Sequence, residues 1–154
     1  MPVNDVAKWI EGSENITDLF GYWPSFHDAE IINFHLWRGD VDPDQNKWIF
    51  PVITVLVHLW ELTNQVGPDG YLICRHETLA TLRFHNVDKL QVAGLNQQNA
   101  IFGLYIERKE RESGPSPYFT VSFEPAHGID ATFECLRIEV VNAKSHSGKV
   151  TETL

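Results

Sequence analysis

The sequence predicts a mainly β protein: a strongly bent antiparallel meander sheet or partly open barrel, with a short N-terminal helix. Three observations lead there. From Glu30 onward apolar residues recur with period two, the spacing of a half-buried strand. Short runs rich in Val, Ile, Thr and aromatics are separated by turns built on Gly and Pro. After residue 30 no helical pattern is long enough for the crossover that parallel strands require. With 154 residues the chain has the length of a single domain, read as an N-terminal helical and turn segment over 1–29, a β core over 30–142 and a polar tail over 143–154.

The first thirty residues hold the helix. Asn4 or Asp5 can cap a short helix running to Glu11, with Val6, Trp9 and Ile10 as its apolar side. Gly12-Ser13 ends it, and a second helical turn is expected over Asn15 to Phe20 before Gly21 and Pro24. The first strand places Ile32, Phe34 and Leu36 on one face and Asn33, His35 and Trp37 on the other. Arg38 to Lys47 reads as a polar loop. Trp48 to Leu62 reads as one long strand with Pro51 near its start, where proline is tolerated. Gly67-Pro68-Asp69-Gly70 specifies a turn, since Pro presets φ and Gly accepts positive φ. Further strands are expected at Tyr71–His76, Leu79–Phe84, Lys89–Ala93, Ile101–Arg108, Tyr118–Glu124 and Thr132–Val141.

Composition supports a large aromatic core without covalent staples. Apolar residues make up 43% of the chain, with five Trp and nine Phe, enough to bury a core at this length. Cys74 and Cys135 are far apart and read as small buried hydrophobes rather than a disulfide framework. The N-terminus lacks the basic start and apolar run of a signal peptide. The longest apolar stretch, Trp48 to Trp60, is interrupted by Pro51, Thr54 and His58. A cytoplasmic location follows as the expectation.

The net charge is −9, and it is uneven: residues 1–50 hold nine acids and three bases. Nucleic-acid binders neutralise phosphates with Lys and Arg, so this balance argues against direct nucleic-acid binding and against docking on a membrane surface. An acidic face can instead steer a basic protein partner, although charge that merely keeps a surface soluble is the commoner case.

Sites for chemistry are sparse. Seven histidines are scattered at irregular spacing; His27, Asp28 and His35 would converge on a metal only if their turn folded back, so no metal and no cofactor are called. Asp40, Asp42 and Asp44 open like a calcium loop, but Gln45 and Pro51 stand where that loop needs Gly and Glu. They read as an exposed acidic loop that a basic partner can touch. Ser25, His27 and Asp28 lie within one turn, whereas a catalytic triad is assembled from distant elements. Phosphate-binding glycine loops and nucleophile elbows are not found, so no catalytic residues are assigned.

Two stretches remain. Gly21 to Glu30 is a turn before the first strand, with Trp23 and Phe26 as core plugs and Ser25 or Asp28 able to accept hydrogen bonds from free amides. The second, Gly94-Leu95-Asn96-Gln97-Gln98-Asn99, puts four amide side chains into four successive positions. These can satisfy a wide turn or offer a hydrogen-bonding surface to a partner.

Together the motifs Trp23-Pro-Ser-Phe-His-Asp-Ala-Glu30 and Gly94 to Asn99 resemble the immunity protein 50 family of bacterial polymorphic toxin systems, over roughly residues 16–142. Leu95 stands where that family usually carries an aromatic. The resemblance implies a protein that binds and neutralises a cognate toxin, with no catalytic residues. It makes Trp23, Phe26, His27, Asp28, Glu30, Asn96, Gln97 and Asn99 motif residues, to which the turn chemistry above gives a structural role. Competing expectations are a β-barrel that binds a ligand or works as a metal-dependent enzyme, with His58, His76 or His85 pointing into its cavity, and a homo-oligomer formed through exposed strand edges.

Overall fold

The computed structural model describes residues 5–146. A 3-10 helix at Asp5–Trp9 is followed by α1 (Glu14–Phe20), β1 (Glu30–Trp37), β2 (Asp40–Asp42), β3 (Lys47–Ile49), β4 (Val52–Val66) and β5 (Leu72–His85). Then come β6 (Asp88–Ala93), β7 (Ile101–Lys109), β8 (Tyr118–Pro125), β9 (Asp130–Cys135) and β10 (Arg137–Ser145). The protein is mainly β, as the period-two pattern requires, and its pairings between strands are antiparallel.

The strands do not form one bent sheet, and they do not close into a barrel. Two four-stranded sheets, β1-β4-β5-β10 and β6-β9-β8-β7, pack face to face, and β2-β3 stands apart as a small ribbon. Ile53, Val55, Val57 and Leu59 of β4 and Leu82 and Phe84 of β5 face Val121 and Phe123 of β8 and Phe133 of β9 in one continuous core. Edge-on ring contacts stitch the sheets together: Phe84–Phe133 at 5.0 Å, Phe84–Phe123 at 6.1 Å and Phe34–Phe123 at 6.2 Å between centroids.

Four expectations change, each for a local reason. The run Thr132–Val141 is two strands: at Leu136 the chain leaves one sheet for the other, and the Leu136 amide bonds the His85 carbonyl at 3.0 Å. Conversely, the runs around Glu77 join into the single strand β5, with a register shift opposite Leu59/Glu61 and His76 at φ 57. Trp48 and Ile49 leave the long strand because proline at 51 has no amide to extend the ladder; they pair with β2, so the expected polar loop is a ribbon. An irregularity at Ile32 shifts the parity of β1 and turns Ile31 inward together with Phe34, while Leu36 keeps the parity of Phe34 but is exposed near the end of the strand.

The N-terminal segment closes a sheet edge. Glu11 exchanges backbone hydrogen bonds with Ile138 and Val140 of β10, and α1 buries Ile16 and Phe20 before ending at Gly21, φ 84. Of the helix-capping pair, Asn4 lies outside the described residues. Trp9 is not a core residue: it is 45% exposed and lies under the Arg108 guanidinium. β10 runs on to Ser145, past the expected core boundary at 142. Cys135 is buried and its thiol pushed up to about 12 by burial, whereas Cys74 is exposed on the outer half of β5. Among the described residues no helix is long and apolar enough to cross a membrane.

Candidate interaction site

The two motif stretches, seventy residues apart, form one junction between the sheets. Pro24 follows Trp23, and the chain then takes two positive-φ steps, at Phe26 (φ 64) and Asp28 (φ 65). These strained positions swing Trp23 and Phe26 into the core, 8% and 2% exposed, with their rings 5.4 Å apart. The turn then zips onto the second motif. Asp28 donates its amide to the Ile101 carbonyl (2.9 Å), Ile101 to Ala29 (3.0 Å) and Ile31 to Asn99 (2.9 Å).

Asn99 is the hub of this junction. It is buried at 6% exposure, and its side-chain oxygen accepts from the amides of Asn96 (3.0 Å) and Ile129 (3.1 Å). Its amide nitrogen donates to the Asn96 carbonyl (2.7 Å), and its backbone amide donates to the Glu30 carboxylate (2.8 Å). Asn96 in turn accepts from the Gln98 amide at 2.8 Å. The third strand of contact, at Gly128, leaves no room for a side chain: a Cβ there would overlap Asn99 Oδ1 and the Gln98 carbonyl. Nothing in the Pro125–Asp130 turn sequence advertised this packing, since its partner lies thirty residues away. Gln97 is exposed and joins none of these bonds.

His27 and Asp28 face outward. His27 Nδ1 donates to the Phe102 carbonyl at 2.9 Å, the ring stacks on Phe102, and Nε2 lies 3.5 Å from Asp28. Asp28 therefore points at His27, not at turn amides; Ser25 Oγ does that work, accepting from the His27 amide at 3.3 Å. The wiring is wrong for a triad. A carbonyl holds the nitrogen that a carboxylate should orient, and Nε2 faces the acid instead of the hydroxyl. Beside these residues is a cleft of about 130 Å³ walled by Trp60 and Glu61, well below the usual size of a small-molecule site.

Asp40, Asp42 and Asp44 lie elsewhere, on the β2-β3 ribbon. Asp42 Oδ1 caps the turn by accepting from the amides of Asp44 (3.1 Å) and Gln45 (3.3 Å). Asp40 and Asp42 share one face of the ribbon with Ile49 and Lys47, while Val41 and Trp48 pair on the other. Trp48, Ile49 and Phe50 are each more than half exposed. The sequence reading places these three at the start of a long strand and takes Pro51 as tolerated there; in the structure Pro51 separates them from β4.

Three of the remaining histidines neighbour carboxylates along the first sheet. His85 Nε2 lies 2.7 Å from Glu139, His76 Nε2 3.6 Å from Glu61, and His58 Nε2 3.8 Å from Glu77. Burial and then the adjacent His146 hold His58 below the ordinary imidazole range, against the pull of Glu77. Among the described residues no group of three His, Cys, Asp or Glu could hold a metal ion. A cavity of about 380 Å³ opens where the chain crosses between sheets, lined by Pro51, Val87, Tyr118 and Leu136 and by none of the histidines. Arg111 occupies its wall, 3.6 Å over the Tyr118 ring and 3.2 Å from Glu134.

Comparison with known proteins adds one finding: the family model described as immunity protein 50 matches residues 12–146, which include both motifs and all ten strands. No curated protein and no solved structure matches the chain.

Proposed function

We propose, from the premise that this chain belongs to the immunity protein 50 family, that it is a non-enzymatic inhibitor which binds a cognate bacterial toxin domain one to one and neutralises it. The observation that carries this reading is the extent of the family match, which takes in both sheets and the junction that joins them. The family implies a toxin partner; its basic character is our inference from a net charge of −9 concentrated toward residues 1–50. A polymorphic toxin system and action in the cytoplasm belong to the same proposal. Inhibition needs a stable scaffold and a complementary surface. Asp40 and Asp44, which are exposed, and the half-buried Asp42 supply charge that can steer association and a surface that a basic partner can touch.

The test is direct. The product of the neighbouring gene is purified, its binding measured at two salt concentrations, and its toxicity assayed in cells with and without this protein. Charge reversal at Asp40, Asp42 and Asp44 is expected to slow association and flatten its salt dependence, because exposed charges are screened beyond about 8–10 Å at ordinary ionic strength. Wild-type protein that neither binds that product nor protects cells from it would overturn the proposal.

A further inference from the structure

The β2-β3 ribbon has features that steering alone does not require. It belongs to neither four-stranded sheet, and no residue from 35 to 52 enters the hydrophobic core. Even so, it carries some of the most exposed large apolar side chains of the molecule: Trp48 at 59%, Phe50 at 55% and Ile49 at 53%, with Leu36 and Trp37 exposed at the adjoining end of β1. An isolated two-stranded ribbon is marginal in water, so its shape has to be set locally. Gly39 does this at φ 86, where any side chain would overlap the Ile49 carbonyl; Asn46 at φ 52 and the Asp42-capped turn close the other end. A preset ribbon loses little conformational freedom on binding.

We infer that the β2-β3 ribbon is the element that enters the partner, with Trp48 as its apolar anchor and a basic protein cleft as what it enters. This rests on the immunity reading above and specifies its contact surface. Trp, with Tyr and Arg, is enriched among interface positions that dominate binding energy, and here it sits on the ribbon face opposite Asp40 and Asp42. A cleft gripping both faces gains apolar burial from one and ion pairs from the other.

Charge decides between occupants. Residues 39–50 contain three aspartates against the single base Lys47. A second copy of the chain would set these aspartates against their own counterparts, and an anionic membrane would repel them; a cationic protein surface gains from both faces. The projecting end of the β4-β5 hairpin also exposes apolar groups, Val66 and Tyr71, but there two acids, Glu61 and Asp69, stand against one base, and Arg75 pairs with Glu61 at 2.9 Å, so less net charge is left to attract a cationic surface than on the ribbon.

The experiment uses the full chain and the purified product of the neighbouring gene. Trp48→Ala is expected to weaken binding by about thirtyfold or more, mainly through faster dissociation, because loss of a dominant anchor is worth about 2 kcal/mol or more. Tyr71→Ala, at the tip of the other hairpin, is expected to bind as wild type does. An unchanged circular dichroism spectrum and melting temperature establish that Trp48→Ala is folded; if it is not, Trp48→Gln takes its place with the same expected loss. Wild-type binding that survives both Trp48 variants overturns this inference and leaves the immunity reading standing, as does a loss confined to Tyr71→Ala. Sedimentation showing a dimer that Trp48→Ala dissociates would assign the ribbon to self-association and overturn it equally. If the wild type fails to bind at all, both readings fall.

Discussion

Asn99 shows how one side chain fixes a junction that no local pattern encodes. Its oxygen holds the amides of Asn96 and Ile129, and its nitrogen holds the Asn96 carbonyl, so the amide group is matched on both ends. Truncation would leave the Ile129 amide buried without that acceptor, at about 1–3 kcal/mol for one orphaned group. Asn99→Ala is therefore expected to lower the urea midpoint with an unchanged slope, while Gln97→Ala, on an exposed side chain outside the network, stays within about 0.5 kcal/mol of wild type. Equal losses from the two substitutions would contradict the structural role assigned to Asn99. The amide-rich composition of this stretch was visible in the sequence. Which amide would be buried was not, because the choice depends on Gly128 and Glu30 arriving from other parts of the chain.

At the scale of elements, strands were legible where a period-two run is bounded by turn residues, as in β7 and β8, expected at Ile101–Arg108 and Tyr118–Glu124 and found at Ile101–Lys109 and Tyr118–Pro125. Failures occurred where a strand changed sheets or carried a charge in mid-course. Leu136 offers no Gly or Pro to mark the crossing, because an antiparallel sandwich can pass a strand between sheets through a single residue whose amide is satisfied across the corner. Glu77 suggested a break, yet the ladder continues through it. The ribbon supplies a test of local shape. Gly39→Ala is expected to accelerate amide exchange at Val41 and Trp48 while Val55 and Val121 keep wild-type protection, since the ribbon lies outside the core. Loss of protection at Val55 would mean that the ribbon supports the sandwich.

For the molecule as a whole, buried and paired ionisable groups set the pH response. Burial, then His146, lowers the His58 pKa, so the unfolded chain takes up that proton first; stability is complete above the ordinary imidazole value near 6.5 and lost as pH falls through the folded value. Glu11 and Glu61 act in the same direction at lower pH. Hydrogen bonds from Arg137 and Arg75 hold their carboxyls below the usual range, and that stability is lost as acid protonates them. Cys135 works from the other side: its thiol is raised to about 12, so its contribution is present below about 8.5 and is lost as pH rises toward the folded value. Melting temperature is expected to be highest between about pH 6.5 and 8.5. His58→Gln should flatten the fall between pH 7 and 5.5, and an unchanged slope would show that the drop comes from other groups.

The sequence by itself determined the β character, the antiparallel pairing, the Gly67–Gly70 turn and the two motifs that point to the family, because these rest on local chemistry: side-chain periodicity, the fixed φ of proline and the positive φ that glycine accepts. Only the tertiary structure decided that the strands divide into two packed sheets, that the motifs meet at Asn99, and that Trp48 stands in solvent when Phe84 is buried. Those outcomes follow from contacts between residues far apart in the chain, where an apolar side chain is equally suited to a core and to a partner, and only the surrounding packing determines which it meets.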